Sequence, residues 1–154
     1  MRIDTTRFGA MDVAEESIVQ MPEGMPGFAE AKRFVLLQGG QTAAFSWLQA
    51  VDDPDLAFIV INTRQFFPDY RFVFPEEQTA SLGLNSPSEA AILTTVTIGK
   101  DGAITTDMLG PIVMNPRTLL ARQIVLEDSR YSSKHSIREL PGTDAARPEW
   151  ARAA

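Results

Sequence analysis

Residues Trp47 to Tyr70 read WLQAVDDPDLAFIVINTRQFFPDY. Two apolar runs, Ala44 to Val51 and Leu56 to Asn62, flank an acidic turn, Asp52-Asp53-Pro54-Asp55. Pro54 presets φ, and short Asp side chains can accept from nearby backbone N–H groups, so the pattern predicts an antiparallel hairpin with its acids at the tip. Phe58-Ile59-Val60-Ile61 is apolar at consecutive positions. Successive side chains of a strand point to opposite faces, so this strand is expected to be central and covered on both sides.

Outward from the hairpin, short strands dominate the pattern. Arg2 to Phe8 alternates, with Ile3, Thr5 and Arg7 on one face and Gly9 ending the run, and Ser17 to Met21 is a second strand. The loop MPEGMPGF, Met21 to Phe28, is punctuated by Pro and Gly; Phe34 to Leu37 follows as a strand that Gly39-Gly40 closes. A short helix is expected at Pro75-Glu76-Glu77-Gln78, with carboxylates at its positive end and Gly83 to stop it. Ser86-Pro87-Ser88-Glu89 repeats the start signal, with Ser86 as candidate N-cap. Ala91 to Ile98, the turn Gly99 to Gly102 and Ala103 to Leu109 form a second expected hairpin; Pro111 to Met114 and Leu119 to Leu126 supply the last strands. The expected fold is mainly β, an antiparallel, barrel-like single domain over residues 1–140 with one or two short helices. Residues 141–154 lack periodicity and are expected to form a flexible tail, in which Trp150 stands out.

The chain of 154 residues contains no cysteine, which removes disulfides, thiolate catalysis and Cys-based metal sites. No apolar run approaches the roughly 20 residues that cross a bilayer, and the N-terminus lacks a signal-like design, so a cytoplasmic location is expected, without membrane contact. The net charge of −6 is uneven: Asp12 to Glu89 carries twelve acidic and four basic residues, whereas Ala90 to Ala154 carries seven acidic and eight basic. An acidic body repels phosphate backbones and attracts basic proteins, so no direct nucleic-acid partner is expected.

Catalytic constellations are absent from the pattern. The single histidine, His135, shares a polar segment with Asp128, Ser129, Ser132 and Ser133, without a strained nucleophile turn, and reads as a solvated surface residue. Asp52, Asp53 and Asp55 lack the ligand spacing of a calcium loop and read as turn chemistry. The Gly-rich turns lack a phosphate-loop ending. No enzyme activity, cofactor or metal is therefore expected. In Phe66-Phe67-Pro68-Asp69-Tyr70, one Phe is expected in the core, the other with Tyr70 partly exposed as an aromatic anchor.

From about Met1 to His135 the chain resembles the flagellar assembly factor FliW family. The resemblance is carried by Thr5-Thr6-Arg7-Phe8-Gly9, by MPEGMPGF with Phe34 following, by WLQAVDDPDLAFIVI (Trp47 to Ile61), by FFPDY (Phe66 to Tyr70), by Leu109 to Asn115, and by QIVLEDSRY (Gln123 to Tyr131). Two departures stand out. The family usually has Asn before a Leu-Leu-Ala-Pro run where this chain has Asp107-Met108-Leu109-Gly110, and it often has Pro where Thr63 stands. The resemblance implies a non-enzymatic, β-barrel-like protein with two competing partners, flagellin and the basic, RNA-binding translational regulator CsrA. It further implies that the freed factor binds CsrA and lifts repression of flagellin translation. The surface expected to face CsrA is Asp52, Asp53, Asp55, Phe67, Asp69 and Tyr70, on grounds of charge complementarity and anchor chemistry. The competing readings are a metal-dependent hydrolase on Asp52, Asp53 and Asp55, and a generic ligand-binding β-barrel.

Overall fold

The computed structural model describes residues 1–38, 45–128 and 130–137. The expected tail with Trp150, the Gly39-Gly40 stop and Ser129 lie outside them. Eleven strands occur among the described residues: β1 (Arg2–Thr5), β2 (Gly9–Asp12), β3 (Ile18–Gln20), β4 (Arg33–Gln38), β5 (Phe45–Ala50), β6 (Ala57–Asn62), β7 (Ala91–Ile98), β8 (Ile104–Thr106), β9 (Ile112–Met114), β10 (Ala121–Gln123) and β11 (His135–Ser136). Two short helices join them, α1 (Thr63–Phe66) and α2 (Glu76–Ser81). All named strand pairs are antiparallel, in the order β10-β9-β7-β6-β5-β4-β3, with β8 and β11 continuing from the far half of β7. The sheet curls until its two edges touch at one parallel bridge, Gln20 to Leu120. That contact makes it barrel-like without a closed ladder. At the seam Leu119 takes φ +62°, and its carbonyl accepts the Gln20 N–H at 2.9 Å.

The opening hairpin is β5–β6, and β6 is central, paired to β5 and β7. Its alternate residues serve two cores. Phe58 and Val60 face Phe34, Leu48, Ile112 and Met114 on one side; Ile59 and Ile61 face Phe45, Val96, Ile104 and Ile137 on the other. The expectation of a doubly covered strand is met because α1 and β8–β11 close the second face. The N-terminal hairpin β1–β2 covers a further stretch, where Ile3 meets Ile18, Val35 and Val51.

Several local expectations differ from the structure. The first strand ends at Thr5, and Gly9 opens a second strand rather than ending one. Gly9 has φ +72°, and the Thr5 hydroxyl, accepting from the Phe8 N–H at 2.8 Å, turns the chain between them, leaving Arg7 exposed. Ser86 does not cap a helix; its hydroxyl pairs with Ser88 at 2.9 Å beside a single 3-10 turn, Pro87–Glu89. His135 is no solvated surface residue. It sits half-buried in β11 opposite Thr106, with its ring edge-on to Phe67 at 5.0 Å.

Both family departures have a local account. Thr63 opens α1 and is fully buried, its hydroxyl 2.9 Å from that of Thr94, which lies 2.6 Å from that of Thr106. A proline would suit that helix position but would leave this hydroxyl chain one member short. Asp107 accepts the Leu109 N–H at 3.0 Å, a bond that an Asn side-chain carbonyl could also accept. Gly110 leaves room for Gln123: a Cβ there would lie 2.7 Å from Gln123 Nε2, which donates to the Gly110 carbonyl at 2.8 Å.

Candidate functional site

The acidic turn is built from the inside by Gln49. This residue is fully buried, and its Nε2 faces the carbonyls of Ala50, Asp53, Pro54 and Leu56 at 3.0, 3.2, 3.3 and 3.2 Å. Two N–H groups shared among four carbonyls fix the amide's orientation, since its oxygen would be repelled there. Asp53 Oδ1 accepts the Asp55 N–H at 3.1 Å, which completes an Asx turn.

The tip is also tied to distant segments. Asp52 pairs with Arg33 of β4, Nε to Oδ2 at 3.0 Å. This contact, chiefly its hydrogen bond, holds the Asp52 carboxyl below its ordinary range and pushes the Arg33 guanidinium up. The Thr6 hydroxyl donates to Asp55, and the Thr6 N–H donates to the Pro54 carbonyl at 3.0 Å. Next to it the Arg7 guanidinium lies 4.2 Å from the Trp47 ring centroid, and Phe8 meets the same ring edge-on. The motif Thr5 to Gly9 and the acidic turn are thus one structural unit, although Gly9 and Asp52 lie 43 positions apart along the chain. Arg33, Gln49 and Thr6 lie outside the expected surface, and no local pattern marks their meeting.

All three acids remain exposed, and beside them runs a groove of about 450 Å³ lined by Phe28, Ala31, Leu56, Asp52 and Asp53 among others. Phe28 is held at its rim by the MPEGMPGF loop. Gly24 has φ +67°, and a Cβ there would lie 2.7 Å from the Ala29 backbone. The three carboxylates turn to different protein partners, and no group of three metal-ligating side chains occurs among the described residues. Asp128, the acid expected near His135, is engaged by Arg130 at 2.8 Å.

The aromatic half of the expected surface lies elsewhere. Along β6 the acidic tip and the Phe66-to-Tyr70 segment are at opposite ends, a separation of ~17 Å at about 3.4 Å per residue. Tyr70 is 1% exposed, so it is a core residue and no surface anchor. Its hydroxyl donates to the Met108 carbonyl at 2.6 Å, and its ring meets Tyr131 edge-on at 4.8 Å. Burial, with Tyr131 second, pushes the Tyr70 phenol well above its ordinary range. Phe67 is half-buried between two cores, and Asp69 is exposed. The six expected residues therefore divide into an exposed acidic tip and a remote, largely internal aromatic end.

No helix among the described residues is long and apolar enough to cross a membrane. The family model described as FliW protein matches residues 2–137. A flagellar assembly factor FliW from Geotalea uraniireducens is 46% identical over 140 residues, covering 90% of this chain and 85% of the relative. One from Geobacter sulfurreducens is 45% identical over 136 residues, covering 88% and 85%. A crystal structure of the flagellar assembly factor FliW superposes with a TM-score of 0.81 at 30% identity, over 89% of this chain and 96% of that one. With the fold, the motifs and these relatives in agreement, the chain belongs to the FliW family of flagellar assembly factors.

Proposed function

We propose that this protein acts in the cytoplasm by binding rather than by catalysis, holding flagellin and, when free, binding and antagonising the translational regulator CsrA. The observation that carries this reading is the exposed acidic tip, held rigid by Gln49, Thr6 and Arg33 beside an apolar groove. A preformed patch pays less ordering entropy on binding, and its sign suits a basic partner. An acidic protein docked on an RNA-binding surface also weakens attraction for phosphate, which is largely electrostatic.

The CsrA-facing surface is Asp52, Asp53 and Asp55 with the groove beside them. Asp69 and Phe67 lie too far away to share one small contact with that tip, and the burial of Tyr70 removes it. The test is titration of purified CsrA with the variant D52N/D53N/D55N over a series of salt concentrations. Weaker binding with a shallower salt dependence is expected; unchanged affinity and salt dependence would exclude the tip. Gel filtration of the three proteins together is expected to show two binary complexes, and a stable ternary complex would sink simple partner exchange.

A further inference from the structure

A second concave surface has the opposite chemistry. It is a groove of about 520 Å³ between the extended segment after α1 and the turn at Pro87–Glu89, lined by Arg64, Tyr70, Arg71, Phe72, Phe74 and Pro87 among others. Lys32, Arg33, Arg64 and Arg71 are the four basic residues between Asp12 and Glu89, and two of them line this one groove. Among the described residues neither Arg64 nor Arg71 makes an ion pair, whereas Arg33 is held by Asp52. Within an acidic half of the chain, that places unneutralised positive charge at one spot.

The groove wall is also apolar, and its side chains alternate inward and outward as in a strand. Phe72 and Phe74 are half-buried and stacked, 5.0 Å apart with their planes at 24°. Val73 between them is 86% exposed. Residues 71–75 belong to no strand, and the backbone groups of Phe72, Val73 and Phe74 make no hydrogen bond to the described residues. Extended backbone with unused N–H and C=O groups is a template for pairing with another chain. Pro68 and Pro75 bracket the segment and limit how far such pairing can run. The base of the segment is fixed, because the Tyr131 hydroxyl accepts the Arg71 N–H at 3.0 Å and donates to the Arg71 carbonyl at 2.9 Å.

We propose that this groove docks an extended peptide segment of a partner protein, one that carries acidic side chains next to apolar ones. The carboxylates meet Arg64 and Arg71, the apolar side chains lie on Phe72 and Phe74, and the main chain pairs with residues 72–74. Single-stranded nucleic acid also suits arginines and stacked rings. It lacks the regular ladder of alternating N–H and C=O groups that a second peptide would set against residues 72–74, however, and it must approach a protein of net charge −6. The proposal is independent of the acidic tip, which lies at the other end of β6.

A phage-displayed random dodecapeptide library panned on the full chain, with counter-selection on R64E/R71E, tests it. Peptides rich in Asp or Glu beside β-branched or aromatic residues are expected to be enriched. As synthetic peptides they should bind R64E/R71E at least tenfold more weakly, at unchanged melting temperature, and should shift the amide resonances of residues 72–74. Three results overturn the proposal: no enrichment above counter-selection, enrichment of basic peptides, or a decauridylate RNA binding with the same arginine dependence. D52N/D53N/D55N, which should weaken binding in the CsrA titration, should leave peptide binding unchanged, which separates failure here from failure at the tip.

Discussion

The two ends of β6 satisfy their polar groups in opposite ways. At the acidic end the carboxylates stay in water and use hydrogen bonds from Thr6, Arg33 and backbone to fix a shape. At the aromatic end the Tyr70 hydroxyl is taken inside the core, where it donates to the Met108 carbonyl. Exposed ion pairs contribute little to stability, whereas a buried aromatic with a satisfied hydroxyl contributes much. The acidic end can therefore be tuned for a partner at small cost to folding. The aromatic end cannot, except along the exposed segment that follows it.

The contrast breaks most visibly at Tyr70. Tyr70→Ala is expected to cost about 3–5 kcal/mol, the range for removing a buried aromatic, measured by denaturant titration. Tyr70→Phe, which keeps the ring and orphans the Met108 carbonyl, should cost about 1–2 kcal/mol. A smaller loss from Ala than from Phe would show that Tyr70 is not core. At the other end Gln49→Leu should cost about 1–3 kcal/mol by withdrawing the donor that gathers the turn. It should also loosen the tip, read as faster amide exchange at Asp55 and Leu56, whereas exchange at Tyr70 stays unchanged.

The pH responses differ in the same sense. Because the folded phenol of Tyr70 is raised, its contribution is complete below about pH 10, the ordinary phenol value, and is lost as pH rises beyond it. Tyr70→Phe should flatten that alkaline loss; an identical alkaline limb would assign it to another group. Asp52 runs the other way. Its carboxyl is depressed, so its contribution is present above about pH 4 and fades as pH falls through its folded value. Exposure to solvent makes this the smallest effect, and D52N/D53N/D55N should shift stability by no more than about 1 kcal/mol. A larger loss on thermal denaturation would mean that the tip is a folding element rather than a docking surface.

Much of the architecture was legible because it rests on local rules. The acidic turn between apolar runs and the Gly99-to-Gly102 turn each encode a hairpin, and the two-sided apolarity of Phe58 to Ile61 encodes a central strand, all through neighbours in sequence. The N-terminal hairpin was misread, since a single alternating run does not show that Thr5 folds its hydroxyl back to Phe8. β11 was missed because two residues joining Thr105 and Thr106 carry no period of their own. Tyr70 was misplaced for a similar reason. An aromatic after Pro-Asp suits a surface anchor or a core residue equally, and Tyr131, 61 positions later, decides between them.

Local sequence is enough to specify a β-rich chain with an acidic hairpin tip and motifs in the order of a known family. Those features depend on side-chain alternation, turn chemistry and charge, which short stretches carry. It takes the folded sheet to make the motif at Thr5 to Gly9 buttress the acidic tip, to interlock the motif ending at Tyr70 with Tyr131, and to set these two assemblies a strand's length apart. Pairings of that kind are set by how a curled sheet returns distant segments to one place. No local window holds that information, because the free energy resides in contacts formed only once the sheet has curled.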